Sequence, residues 1–221
     1  MKAVLLAAGL SSRLSGGVPK TLLFLHDQTT VIGHTISQLD SLGFSTTVVI
    51  GYKAPFFLST LSTSVTFAYN PIYASTATLY SLKVAVDLLQ EEGPLLVAYA
   101  DQITNTETLK TLIRIPDSVL VTPLRPEYAA EYALEIQKDE IRKVVPFKKF
   151  PKRAEGRYAF GGFAFLSKNT LNQIKTLPPE VLAHYDVPMI FEGCRPLRAH
   201  CENINNPVNL IQAQRNLIRR K

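Results

Sequence analysis

Short apolar runs alternate with amphipathic stretches along the first half of the chain. Residues 3–7, 46–50, 65–69, 95–100 and 118–121 are continuous apolar or β-branched runs of strand length, the pattern of strands buried on both faces. Between them Val31, Ile32, Ile36, Leu39 and Leu42 keep helical spacing, as do Leu79, Leu82, Val86 and Leu89. This alternation predicts a parallel sheet with helices on both faces. Gly43 is placed to be a left-handed helix cap, and Gly93-Pro94 cannot continue a helix.

Beyond Pro123 the pattern changes. Residues 132–136 alternate, a basic stretch follows over 138–157, and 158–166 form an apolar run interrupted by Gly161-Gly162, so this half reads as mixed or antiparallel. Helices are expected at 169–176, around 180–191, and at 207–219, the last with Pro207 in its first turn. The predicted class is α/β, a Rossmann-like three-layer sandwich around a mostly parallel, mixed sheet. With 221 residues the chain suits one domain, whose first and second halves differ in pattern.

Composition narrows the function classes. The chain is 46% hydrophobic and 19% charged, which is globular. No apolar run reaches the roughly 20 residues of a membrane span, so membrane insertion is not expected. The start resembles a signal peptide only superficially, since its apolar core covers only residues 3–8, and a cytoplasmic protein is expected. Cys194 and Cys201 are the only cysteines and read as buried free thiols, too few for a zinc array or a disulfide framework. The net charge of +6 has no aromatic-interleaved basic face beside it, which argues against nucleic acid and for small anionic substrates.

In an open α/β sheet ligands collect beyond the carboxyl ends of the strands. Four segments there carry candidate chemistry. After the first strand, Leu6, Ala7, Ala8 and Gly9 offer almost no side chain, so a ligand can approach the backbone. Gly9, Gly16 and Gly17 permit turns that aim amides inward, and Arg13 and Lys20 supply two cations for a polyanion such as a nucleoside triphosphate. Neither a P-loop nor a Gly-x-Gly-x-x-Gly fingerprint is present. Asp101 ends the fourth apolar run and suits either Mg²⁺, held jointly with substrate phosphates, or a cap for the next turn. The polar segment 70–82, with Asn70, Thr76, Thr78 and Ser81, could cap a helix through Thr76 or Thr78, or read the edge of a base. The fourth segment, ahead of Pro207, could cap the last helix through Asn205 or Asn206. A fifth cluster, Lys148, Lys149 and Lys152, reads as a solvated loop by composition alone.

Leu6-Ala7-Ala8-Gly9-Leu10-Ser11-Ser12-Arg13 followed by Pro19-Lys20 resembles the signature of nucleotidyltransferases with a GT-A-like fold, the MobA-like NTP transferases. Asn70-Pro71-Ile72-Tyr73 followed by Ser81-Leu82 resembles a pattern of nucleotidyltransferases that use a cytidine or uridine nucleotide, and Tyr73 through Leu82 with the Gly161-Gly162-Phe163 strand look most like bacterial choline-phosphate and inositol-phosphate cytidylyltransferases. Two departures stand out: Ala77-Thr78 replace the family's frequent Asn-Asn pair, and Asn205 stands where many members carry a metal-binding acid.

The resemblance implies transfer of a nucleotide, CMP favoured, from an NTP to a phosphorylated or phosphonate small molecule such as phosphocholine, with release of pyrophosphate. Arg13 and Lys20 would be catalytic. Leu6, Ala7, Ala8, Gly9, Asn70, Thr76, Thr78 and Ser81 would bind nucleotide, and Lys148, Lys149 and Lys152 the acceptor. Asp101 and Asn205 would hold Mg²⁺, and the chain could form a homodimer. The alternatives are a molybdopterin-type or sugar-1-phosphate nucleotidyltransferase, or a degenerate nucleotide-binding regulatory protein.

Overall fold

The computed structural model describes residues 1–10, 17–61, 65–90, 93–124, 132–146, 157–205 and 207–219. Its elements run β1 (Lys2–Leu6), α1 (Val31–Ser41), β2 (Ser45–Ile50), α2 (Ala54–Thr60), β3 (Thr66–Tyr69), α3 (Thr78–Leu89), β4 (Leu95–Tyr99), β5 (Gln102–Ile103), α4 (Thr106–Leu112) and β6 (Ser118–Pro123). There follow β7 (Tyr132–Gln137), β8 (Glu140–Pro146), β9 (Arg157–Leu166), α5 (Lys168–Thr176), α6 (Pro179–His184), β10 (Arg195–Arg198), β11 (Glu202–Asn203) and α7 (Pro207–Arg219). Short 3-10 turns occupy Lys20–Leu22 and Val187–Ile190.

The main sheet has the order β10-β6-β9-β4-β1-β2-β3. β1 pairs in parallel with β2 and β4, and β2 with β3, while β9 runs antiparallel between β4 and β6. The result is the mixed, mostly parallel α/β sheet expected. Alternate residues of β1 explain the three layers. Val4 and Leu6 pack with Leu79, Leu82 and Val86 of α3 and Leu171 and Ile174 of α5. Ala3 and Leu5 face the other way, toward Ile32 and Leu39 of α1, Phe57 of α2 and Leu109 of α4. Each such leucine, fully buried, contributes about 1.5–3 kcal/mol relative to an exposed one. Among the described residues no helix is long and apolar enough to cross a membrane.

Helix α1 ends as its sequence suggested. Gly43 adopts φ 76°, its N–H bonds the carbonyl of Asp40, and the Phe44 N–H reaches back to Leu39. Helix α3 stops earlier than Gly93-Pro94 required, with Gln90 in the left-handed region. The single helix expected around 180–191 is instead two pieces, α6 and the 3-10 turn at Val187–Ile190, because Pro188 cannot donate to a continuing helix. Two elements lay hidden in the pattern. Helix α2 has only Phe57 fully buried, and β8 lies in the basic stretch, where Ile141 and Val144 point inward between exposed Arg142 and Lys143. Its hairpin with β7 turns on Lys138 and Asp139, both at positive φ, and a bulge at Glu135/Ile136 breaks the period-two alternation.

Candidate functional site

The loops after β1, β2, β3 and β4 are fastened to one another by backbone hydrogen bonds that continue the sheet past its strands. Ala7 N–H donates to Val49, Tyr52 N–H to Ala8, Asn70 N–H to Ile50, and Ala100 N–H to Leu6. Leu6, Ala7 and Ala8 are buried, and an added Cβ on Gly9 would meet nothing within 4 Å, so the backbone there faces open space. Arg13 lies outside the described residues.

Asp101 lies two residues past the end of β4, and a two-stranded antiparallel ladder holds its backbone in place. β5, starting at Gln102, pairs with β11, so Asn203 lies opposite Gln102 and the Ile204 N–H donates to the Asp101 carbonyl at 3.0 Å. That ladder brings Asn205 beside Asp101 from 104 positions away in sequence. Lys20, on its 3-10 turn after Pro19, completes the set. Its Nζ donates to Asn205 Oδ1 at 2.9 Å and forms an ion pair with the Asp101 carboxylate. Three of the expected site residues therefore converge at the carboxyl ends of β1 and β4.

Gly162 supports the same corner. It adopts φ 85° in a bulge of β9, and a Cβ there would lie 2.2 Å from Gln102 Cγ, so the buried Gln102 side chain fits only over a glycine. Gln102 Oε1 in turn accepts the Cys201 thiol at 3.3 Å. Burial pushes the Cys201 thiol well above its ordinary pKa, and the Glu202 and Asp101 carboxylates act in the same direction. It is a packing thiol, buried and reduced as Cys194 also is.

The segment after β3 is built around Asn70, which is fully buried. Its Nδ2 donates to Thr76 Oγ1 and Ser81 Oγ, and its Oδ1 accepts the Ile72 N–H. Thr76 donates to the Ile72 carbonyl. Asn70, Thr76 and Ser81 thus spend these polar atoms in shaping the loop.

Neither Thr76 nor Thr78 caps α3, because the cap position is Ala77 and the capping group comes from 108 residues away. Asp186 Oδ1 accepts both the Thr78 N–H at 3.1 Å and the Thr78 hydroxyl at 2.8 Å. The Ala77 and Leu79 amides go to the Ala183 and Tyr185 carbonyls, and Val187 N–H donates to Thr78 Oγ1. Tyr99 OH, near the tip of β4, lies 2.9 Å from the same hydroxyl. The start of α3 is therefore held by the second half of the chain.

Lys53, Asp186 and Gln102 escaped the sequence reading. Lys53 follows β2 in Gly51-Tyr52-Lys53, so inspecting every strand end would have found it. It sits at φ 54°, and its amine reaches the opening loop, 3.4 Å from where a Cβ on Gly17 would be. Lys148, Lys149 and Lys152 lie outside the described residues.

The set formed by Asp101 and Asn205 fits a hard divalent cation by its chemistry, one carboxylate and one amide oxygen already converging on a single positive charge. Among the described residues no three His, Cys, Asp or Glu side chains gather, so such an ion would need oxygens from a substrate as well. A separate cleft of about 450 Å³ opens at the other end of the sheet, where Ser118 and Arg195 begin β6 and β10.

Comparison with known proteins agrees with the fold. Solved structures sharing the fold include a candidate glucose-1-phosphate thymidylyltransferase from Bacillus anthracis, 19% identical with a TM-score of 0.80 over 99% of this chain and 95% of that one. CTP:phosphocholine cytidylyltransferase from Streptococcus pneumoniae is 17% identical, with a TM-score of 0.73 over 98% of both chains. The inositol-1-phosphate CTP transferase of T. maritima is 16% identical, at 0.72 over 97% and 93%. The sequence matches no curated protein. The family model for the MobA-like NTP transferase domain matches residues 3–155, more than half of the chain and including the opening loop and Asp101, and the protein belongs to that family.

Proposed function

We propose that the protein transfers CMP from CTP to a small phosphorylated or phosphonate acceptor such as phosphocholine, releasing pyrophosphate. The observation that carries this reading is the convergence of Lys20, Asp101 and Asn205 beyond the strands that bear the family signature. Residues 1–125 would bind the nucleotide and 126–221 the acceptor. The preference for CTP is supported by the resemblance of Tyr73 through Leu82 to cytidylyltransferases, from which Ala77-Thr78 depart.

An oxygen of the acceptor's phosphate, already anionic, attacks the α-phosphorus. The new P–O bond forms as the bond to the bridging α,β-oxygen breaks, and that oxygen leaves on pyrophosphate with the electron pair. No side-chain nucleophile is required, so the protein's contribution is alignment and neutralisation of growing negative charge. Lys20 would hold the triphosphate together with Arg13 of the same opening segment, and Lys53 reaches that loop. Asp101 and Asn205 would hold Mg²⁺, which supplies charge neutralisation between phosphates. Asn70, Thr76 and Ser81 would shape the loop that meets the base, and Lys148, Lys149 or Lys152 would meet the acceptor phosphate.

The test is a matrix of the four NTPs against phosphocholine, phosphonates, polyol phosphates and sugar 1-phosphates, with Mg²⁺, read as pyrophosphate release. CTP with one phospho-acceptor is expected to give turnover that falls by orders of magnitude in Asp101→Ala. Turnover only with a sugar 1-phosphate and another NTP would replace the cytidylyl reading, and silence across the matrix would leave a nucleotide-binding regulatory protein.

A further inference from the structure

Lys20 stands where two metal-binding oxygens point. Its ammonium takes Asn205 Oδ1 at 2.9 Å and the Asp101 carboxylate together, the two side chains that fit a divalent cation. An ammonium donates three hydrogen bonds and accepts none, so it needs the same oxygen lone pairs that a metal ion would use. Two cations crowded onto one carboxylate and one amide oxygen repel each other, so each weakens the other's hold.

We infer that Lys20 is an internal counter-ion that keeps the metal pair closed until a triphosphate draws its ammonium away, so that the divalent ion enters with the nucleotide and not before it. This rests on the proposed nucleotidyl transfer and adds an order of binding to it. Three observations carry it. The first is charge. Lys20 and Asp101 cancel and Asn205 is neutral, so the closed set presents no net charge to attract a free divalent ion. Once Lys20 turns to a triphosphate, Asp101 is left anionic beside the ligand's own phosphates. A second acid at position 205 would leave the closed set negative, whereas asparagine keeps the balance.

The second observation is rigidity. Asp101 and Asn205 flank the β5–β11 ladder, and Ile204 is bonded to the Asp101 carbonyl, so the backbone that carries these short side chains is fixed. Lys20 reaches them on a four-carbon stem with freely rotating bonds, so the movable partner is the cation. The third is burial. The Lys20 and Asp101 side chains are 20% and 16% exposed, where charge interactions are screened less than at an open surface.

The test uses Mn²⁺ alone as the probe, with free Mn²⁺ counted by electron paramagnetic resonance in the absence of nucleotide. Wild-type protein is expected to bind Mn²⁺ no more tightly than Asp101→Asn. Lys20→Met is expected to bind at least about tenfold more tightly, about 1.4 kcal/mol, and the gain should vanish in the Lys20→Met, Asp101→Asn double variant. Lys20→Gln keeps a donor for Asn205 without the charge and should show the same gain, and it decides the matter if thermal melting shows Lys20→Met misfolded. Wild type that binds Mn²⁺ as tightly as the lysine variants overturns the inference. Equilibrium dialysis with each of the four NTPs separates the two layers: absence of any nucleotide binding removes the proposed function, while the Mn²⁺ comparison still judges the counter-ion.

Discussion

Asp186 links the two halves of the chain, and removing it gives a prediction with two readouts. Its Oδ1 accepts the Thr78 N–H at 3.1 Å and the Thr78 hydroxyl at 2.8 Å, taking the place of a local cap on α3. Hydrogen bonds to a charged group contribute about 1.5–3 kcal/mol each, and a carboxylate at a helix N-terminus adds about 0.3–1. Val187 N–H still holds the Thr78 hydroxyl after Asp186→Ala, and water can reach the half-buried site, so we expect a loss of about 2–3 kcal/mol, within the range for losing a cap or a paired charge group. For a chain of this size that lowers the melting temperature by about 4–12 °C.

Asp186→Asn keeps an acceptor oxygen in the same place and should lose less than about 1 kcal/mol. The kinetic consequence follows from position. Thr78 lies within the Asn70 to Leu82 segment proposed to meet the base, so Asp186→Ala should raise KM for CTP several-fold while kcat stays within about a factor of two. Calorimetry and steady-state pyrophosphate release measure the two effects. An unchanged melting temperature in Asp186→Ala, an Asp186→Asn as damaging as Asp186→Ala, or a fall in kcat at constant KM would each refute the capping role.

Two further outcomes are expected. Gly162→Ala puts a side chain at φ 85° and a methyl carbon 2.2 Å from Gln102 Cγ, so it should displace Gln102, disturb the adjoining Asp101 and lower turnover much more than Gly9→Ala, whose added carbon meets nothing; equal turnover in the two variants would contradict this. The Cys194 thiol is pushed up to about 12 by burial and by the nearby Asp117 carboxylate, against 9.0 for an ordinary thiol. Between those values the unfolded chain binds fewer protons than the folded one, so Cys194 subtracts stability as pH rises from about 9 toward 12. Urea unfolding of wild type and Cys194→Ala across that range should show the difference, and iodoacetamide at pH 8 should label neither cysteine before unfolding.

The legible and illegible parts of this chain divide along physical lines. Strands buried on both faces announce themselves by unbroken apolar runs, which is why β1, β2, β4 and β6 stand within a residue or two of their expected bounds. Helix α7 begins and ends where Pro207 and the hydrophobic spacing placed it. Strand β8 did not show, because a bulge and a hairpin of two positive-φ residues interrupt its alternation. Lys20, Asp101 and Asn205 were readable as chemical types, but their contact was not. It depends on β5 and β11, two residues each, too short to leave a pattern. The cap on α3 was unreadable for a different reason: local rules look for a side chain beside the helix start, and Asp186 arrives through the tertiary fold.

That division also separates the fixed parts of the site from the movable one. The carboxylate of Asp101 and the amide of Asn205 are set by backbone pairing, and the Asn70 loop by a buried side chain with its polar atoms paired inside the protein. Preorganised groups of this kind need not be reordered when a ligand arrives, which is the condition under which electrostatic stabilisation is most effective. Lys20 is the exception, a flexible cation held by fixed oxygens. A strand-end acid was legible from sequence because its backbone fixes it, whereas the partner of a mobile lysine could be identified only once the fold had brought position 205 beside position 101. Specificity for the acceptor has no comparable anchor among these groups, since in the proposed function Lys20, Asp101 and Asn205 would answer to phosphate and metal charge, which every substrate of such a transfer would share.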